Sequence, residues 1–399
     1  MNTSDDARTP LRPLDEAYLE ETLLQLLAIP SPVGLTDAVV RYVAGRLDGL
    51  GIPYVITRRG AIRATLRGQE RHPARAIVAH LDTLGAMVRE LKDNGRVGVV
   101  PIGTWSSRFA EGGRLTLFTD TQQIRGTCLP LMTSGHAFGD AINAQPNTWD
   151  NVEVRLDLPL HSRADLAEAG VHVGDWIAFD PQPEVQPGGY INARYLDDKA
   201  AVAVLLTACK AIQDSGAPLP VDVHPLFTIT EEVGSGASAA LHGDIAEMVS
   251  LDIAIAAPGQ ATDERAVTIC LQDLSGPFDY HLSHKLIKLA QAHGIEHRRD
   301  VFKFYRSDSA AAVEAGNDIR TALIGFGADA SHAQERTHLD SLRALGRLSV
   351  AYLMSAPVAR RDRRSMGSIE GFTEQLRPEE MQVNTTPLPD PQAFLEPKG

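Results

Sequence analysis

The sequence is poor in cysteine, and its few cysteines are scattered. Only Cys128, Cys209 and Cys270 occur in 399 residues, with no close pair, which excludes a disulfide-stapled scaffold and favours a reducing compartment. Long apolar runs are missing too. The longest, Ala200 to Cys209, has ten residues, against the roughly 20 needed to span a bilayer. The N-terminal MNTSDDARTPLRPLDE is acidic and polar and has no apolar signal core. Positive charge is short, with 38 Lys and Arg against 51 Asp and Glu and a net charge of -13. That balance argues against a general nucleic-acid binder, which needs a basic footprint. The expectation is a soluble, cytoplasmic protein with neither a nucleic-acid nor a membrane partner.

Several catalytic signatures are absent as well. There is no H-E-x-x-H, C-x-x-C, G-x-x-x-x-G-K-[ST] or G-x-S-x-G, which sets aside zincins, redox thiols, P-loop enzymes and ordinary serine hydrolases. What is present is a chain 43% hydrophobic and 22% charged, able to bury a sizeable core. It is longer than the roughly 100–200 residues of one domain.

Residues 14–29 carry apolar side chains at helical spacing, broken by Ile29-Pro30-Ser31-Pro32. A second helix is expected over Thr36–Leu47, then strands at Tyr54–Thr57, Ala61–Leu66 and Arg75–Ala79. From about Leu91 to Asp180 the segments RVGVVPIG, RLTLFTD, VEVRLDL and DWIAFD are short, β-branched and punctuated by Gly, Pro and Asp. They predict an inserted β-domain. Beyond Gly189, helices expected at 198–214, 236–243, 280–293 and 340–353 alternate with strands, including VFKFY and TALIGFG. Such alternation argues a mostly parallel sheet covered on both faces. The resulting division is 1–87 and 183–356 for one α/β unit, 88–182 for the insert and 357–399 for a tail.

Polar residues fall where apolar strands end. AIVAHLD, FTITEEVG, VSLDIAIA and IGFGADASH each end in, or are interrupted by, His, Asp or Glu, and in an open parallel sheet the functional crevice lies beyond the carboxyl ends of the strands. The candidates are His80, Asp197, Glu231, Glu232, Asp252 and His332, a mixed N/O set suited to zinc or another divalent first-row metal. His80 and Asp82 share one side of a strand, so Asp82 suits the task of fixing the ring of His80; a buried strand-end histidine followed by a turn fits equally. Asp197 and Asp198 precede an alanine-rich helix, as an N-cap or as a carboxylate shared by two metals. Glu231-Glu232 is the hardest pair to explain otherwise, because two buried unpaired carboxylates repel.

Five segments make the chain resemble a known family: AHLDTLGAMV, NARYLDDKAAV, FTITEEVGSGAS, SLDIAIAAPGQ and RTALIGFGADASH. It is similar to the dinuclear metallo-aminopeptidases that include glutamyl, deblocking and tetrahedral aminopeptidases. HLDTLGAMV, RFAEG, SGPFDYHL, YRSDSA, EAGNDIRTAL and ERTHLDSL resemble most a bacterial branch associated with the osmoprotectant N-acetylglutaminylglutamine amide. The resemblance implies an α/β-α sandwich with an inserted β-barrel-like (PDZ-like) domain. It implies dimer-based homo-oligomers, up to dodecamers, and two divalent ions per chain, Zn2+ foremost and Co2+ or Mn2+ as alternatives. Carried over, His80, Asp197, Glu232, Asp252 and His332 bind metal, with Asp197 bridging. Glu231 is the general base and Asp82 orients His80. The bond between Asp197 and Asp198 is expected to be cis.

Two departures lie near the expected substrate site. Relatives' Ser-Pro-Glu after the last histidine is Ala333-Gln334-Glu335 here, and their Gly-Thr-Asp is Arg306-Ser307-Asp308. Arg306 and Asp308 are therefore the candidate substrate contacts, with an Arg306 ion pair to Asp308 or Asp300 as the plainer alternative. The expected function is hydrolysis of short peptides as an aminopeptidase or dipeptidase. An amidase, deacetylase or carboxypeptidase-like hydrolase of an N-acylated dipeptide or related osmolyte is the second expectation, and a non-catalytic metal-stabilised scaffold the third.

Overall fold

The computed structural model describes residues 11, 13–359, 362 and 366–375; most of the expected tail lies outside them. Four strands form the centre of a 12-stranded sheet: β1 (Gly68–His80), β2 (Leu219–Thr228), β3 (Ile245–Ile255) and β4 (Arg320–Asp329). They are mutually parallel in the spatial order β2-β1-β3-β4. Their inner halves are almost wholly buried, as both faces are covered. Antiparallel strands flank them, among them Val267–Asp273 and Glu335–His338, which share the outer side of β4.

Five longer helices are α1 (Glu16–Leu27), α2 (Asp37–Gly49), α3 (Leu196–Ser215), α4 (Tyr280–Ala292) and α5 (Leu339–Met354). The apolar spacing in α1 puts Leu19, Leu23, Leu26 and Leu27 on its buried side, and Asp15 caps it by accepting from the Tyr18 N–H. Helix α3 is buried nearly all round, packed between the sheet and helices α1 and α5. This is why Ala200–Cys209 reads as an apolar run broken only by Thr207, whose hydroxyl bonds back to the Ala203 carbonyl.

The insert closes into a barrel of six antiparallel strands running from Gly85–Leu91 to Trp176–Phe179. Alternation in Arg114–Phe118 sends Leu115 and Leu117 inward, where they meet Val99, Ile124, Val154 and Ile177 in the core. The mixed α/β class with a mostly parallel sheet and a β-barrel is thus as the sequence predicts.

Three local expectations are corrected. The helix over 236–243 is only a 3-10 turn, Ala237–Ala239. Side chains there take the backbone groups a helix would use: Arg63 donates to the Ala239, Ala240 and Leu241 carbonyls, and Asp308 accepts from the Ala237 N–H. Strand β1 begins at Gly68 rather than Arg75, because its exposed first residues pair with Leu219 and Val221. The VFKFY strand is instead His297–Val301, and the chain leaves the sheet edge before Tyr305.

Candidate metal centre

Register decides what meets at the sheet's carboxyl edge. Thr228 lies opposite His80, and Ser250 opposite Val78, so Asp252 is level with His80 on the next strand. After Thr228 the chain turns through a 3-10 helix, Glu231–Val233, with Gly234 at φ 81°. A glycine accommodates that left-handed geometry without a Cβ clash. Asp197 and Asp198 have non-helical φ/ψ at the start of α3, and the bond between them is cis.

The nearest polar atoms form one cluster. Candidate ligand atoms of His80, Asp197 and Glu232 lie within 4.8 Å of one another, as do those of Asp197, Asp198 and Asp252. Asp197 belongs to both groups. Its Oδ1 is 3.1 Å from His80 Nε2, and its Oδ2 is 3.6 Å from His332 Nε2. Glu232 Oε2 is 3.4 Å from the same His332 nitrogen. Glu231 belongs to neither group, yet its Oε2 lies 3.9 Å from His80 Nε2.

The rings are held from behind. His80 Nδ1 is 2.9 Å from the main-chain oxygen of Asp82, and His332 Nδ1 is 2.7 Å from that of Thr104. A carbonyl only accepts, so each Nδ1 carries a proton, and this fixes the ring with its Nε2 facing the carboxylates. The Asp82 carboxylate, which the sequence assigns to holding His80, lies 3.7 Å from that ring. It accepts instead from the N–H groups of Glu231 and Glu232 and so fixes the turn that carries both glutamates. Glu335 does the same on the other side, accepting from the N–H groups of Asp197 and His332.

The electrostatics of the cluster suit cations. Burial, reinforced by neighbouring carboxylates, holds Glu231, Glu232 and Asp198 well above the usual carboxylate range and pushes Asp252 up to about 8. For His80 burial works against the charged form, but the hydrogen bond that Asp197 accepts from it and the charges of Asp198, Asp82 and Glu231 raise it well above normal. Glu232 Oε1 and Asp198 Oδ1 are buried with no hydrogen-bond partner among the described residues. Unpaired buried oxygens in an acidic, imidazole-bearing cluster fit the donor set of divalent metals.

The two candidate substrate contacts are not brought to this cluster in the expected way. Arg306 pairs with Glu314, a partner outside the pair weighed from sequence, because the helix Asp308–Glu314 brings that carboxylate back alongside it. Both carboxylate oxygens of Asp308 are occupied, by Thr228 Oγ1 and the Ala237 N–H, and its side chain is buried. Residues the sequence did not single out stand closer. Tyr305 has a buried hydroxyl facing Asp252, and Trp105 and Arg194 line the hollow shared with Asp197, Glu232 and His332. Tyr305 and Trp105 are aromatic and so carry no ligand signal, and Arg194 lies within the NARYLDDKAAV segment, where the two carboxylates drew the reading.

Comparison with known proteins gives a consistent picture. The family model for the M42 glutamyl aminopeptidases matches residues 60–348. The chain is 40% identical over 339 residues to the candidate aminopeptidase YhfE of Bacillus subtilis (strain 168), covering 85% of this chain and 98% of that protein. Among solved structures, the TET aminopeptidase of the marine sediment archaeon Thaumarchaeota archaeon SCGC AB-539-E09 superposes with a TM-score of 0.77 at 19% identity, over 84% of this chain and 96% of that one. The Pyrococcus horikoshii TET1 peptidase, described as able to assemble into a tetrahedron or a large octahedral shell, gives 0.75 at 22% identity over 85% and 100%.

Proposed function

From the premise that this chain belongs to the M42 glutamyl aminopeptidase family, we propose that it is a two-metal aminopeptidase or dipeptidase of short peptides. The observation that carries the reading is the cluster at the sheet edge: two imidazoles and the carboxylates of Asp197, Glu232 and Asp252, with Glu231 beside them. The approach of His332 to Glu232 and Asp197 supports one metal site from these three. His80 and Asp252 then join Asp197 in the other. Divalent ions there, with zinc foremost and cobalt or manganese as alternatives, would polarise the scissile carbonyl and acidify the attacking water. Glu231 accepts the proton from water and returns it to the leaving amine. Asp82 holds Glu231 at its task by fixing the backbone on which it sits. Glu335 likewise fixes the main chain of Asp197 and His332.

A second reading is an amidase, deacetylase or carboxypeptidase-like hydrolase of an N-acylated dipeptide or related osmolyte. It is favoured by Arg194, which lines the hollow beside the Phe179 ring. A guanidinium there suits a substrate carboxylate. The segments shared with the osmoprotectant-associated branch point to the same substrate class. The metal-loaded protein, offered free-amine, N-acetylated and C-terminally amidated short peptides with mass detection, separates the readings. Cleavage of free-amine peptides alone supports the first, and cleavage of acylated ones alone supports the second. No cleavage of any by protein carrying two metals overturns both. Homo-oligomerisation through the barrel goes with this reading, and light scattering that returns a strict monomer would contradict it.

A further inference from the structure

We propose that the inserted barrel is a positioning element for the metal ligand His332, so that the barrel's seating sets the affinity of one metal and not the other. This rests on the two-metal reading above.

The two histidines use the same chemistry from different sources. The carbonyl behind His80 belongs to Asp82, two residues along the same segment. The carbonyl behind His332 belongs to Thr104, 228 residues away, in the chain that follows the barrel strand Val97–Ile102. His332 is also the less buried ring, at 34% side-chain exposure against 2% for His80. Its loop holds two non-glycine residues in the left-handed region, Ala330 at φ 63° and His332 at φ 57°, which persist only where surrounding contacts dictate them. Glu335 fixes the backbone N–H of His332. The hydrogen bond to Thr104 fixes the ring and its tautomer, leaving Nε2 directed at Glu232 and Asp197.

The Thr104 carbonyl is in turn braced. The next residue, Trp105, donates from its indole N–H to the Gly85 oxygen at 3.0 Å, at the start of the barrel. Trp149 donates to the main-chain oxygen of Trp105 at 3.1 Å. The Trp105 ring stands edge-on to Trp149 at 4.8 Å and to Phe179 at 5.2 Å. On the other side, Trp176 donates to the Val33 oxygen at 3.1 Å and ties the last barrel strand to the segment between α1 and α2. All three tryptophans of the sequence thus donate through the indole N–H to a carbonyl: Trp176 ties the barrel to the α/β unit, and Trp105 and Trp149 brace the Thr104 segment from within the insert. Gly103 turns the chain into the site at φ 80°, where a Cβ would come within 2.4 Å of Leu84 Cδ2. Groups that orient a ligand from behind typically change metal affinity about 10–100-fold when lost.

The test is metal affinity at each site, by competition with a chromophoric chelator using Zn2+ and Co2+ on the full chain. Trp149→Phe keeps an aromatic ring there but removes the N–H that holds Trp105 together with part of the ring's packing, and Trp105→Ala removes the brace itself. The expected result is one ion bound as in the wild type and the other weakened, about 10-fold or more in the second variant and less in the first. A role limited to general stability would weaken both ions together, and that outcome overturns the proposal. Wild-type affinities at both sites in both variants also overturn it. Should Trp105→Ala not fold, Trp149→Phe decides alone. A wild-type protein that binds no ion overturns the metal reading itself, which is distinguishable from either result.

Discussion

Two buried glutamates, one in each half of the molecule, carry opposite electrostatics. Glu153 lies in the barrel at 2% exposure and is met by Lys92 at 3.3 Å, by Arg155 at 3.2 Å and by Arg96. Burial alone would raise it, but Arg96 and Lys92 hold it below its ordinary 4.5. Glu232 stands at the sheet edge among Asp197, Glu231 and Asp82, with no lysine or arginine paired to it among the described residues, and is raised well above the same value. A buried carboxylate is stable when its charge is answered. The barrel answers its own with side chains, whereas at the sheet edge no lysine or arginine among the described residues answers Glu232, the arrangement the proposed metals require.

Variants can break or sharpen that contrast. The largest effect is expected at Asp197, the carboxylate common to both candidate ligand groups. Asp197→Asn is expected to strip the metals, seen by elemental analysis, and to lower turnover about 10³-fold or more, since several kcal/mol of charge stabilisation go with them. In the barrel, Glu153→Gln is expected to cost about 1–2 kcal/mol in urea unfolding, moderated because Arg96 is partly exposed, with metal content unchanged. The sign with pH follows from the lowered value: the Glu153 contribution is full above about 4.5 and is lost as pH falls through the lowered value. The gap between wild type and Glu153→Gln therefore closes in acid. At the sheet edge Glu232→Gln is expected to reverse sign with loading. It raises the unfolding free energy of chelator-treated protein by about 1 kcal/mol, and its midpoint with it, because an unanswered buried carboxyl is gone. It lowers the midpoint of metal-loaded protein, because a ligand is gone.

What was legible in the sequence follows the same division. His80, Asp252 and the Glu231-Glu232 turn could be located because a polar residue interrupts an apolar strand, and strand register then brings such residues level. The fold class was legible for a related reason, since helix and strand periodicities alternate along the chain. Contacts made through main-chain atoms were not legible, because a carbonyl has no residue type. The Thr104 oxygen behind His332 and the Asp82 oxygen behind His80 are of this kind. Arg306 illustrates a second limit: Asp300 and Asp308 are the nearer acids in sequence, but the turn into the helix Asp308–Glu314 brings Glu314 to it. The expected helix over 236–243 illustrates a third, because Arg63, from a strand some 176 residues earlier, removes its carbonyls.

In the proposed mechanism Glu231 moves the proton while its neighbours hold the metals, and Glu231→Gln separates the two roles. Glutamine keeps the size and the hydrogen-bonding shape but cannot accept a proton. Turnover of a free-amine peptide should be measured on protein whose metal content is determined in the same sample. The expected result is two ions per chain, a wild-type fold and a loss of at least about 10²-fold in turnover, the range of a positioned acid–base group. Two ions per chain with turnover close to wild type would contradict it.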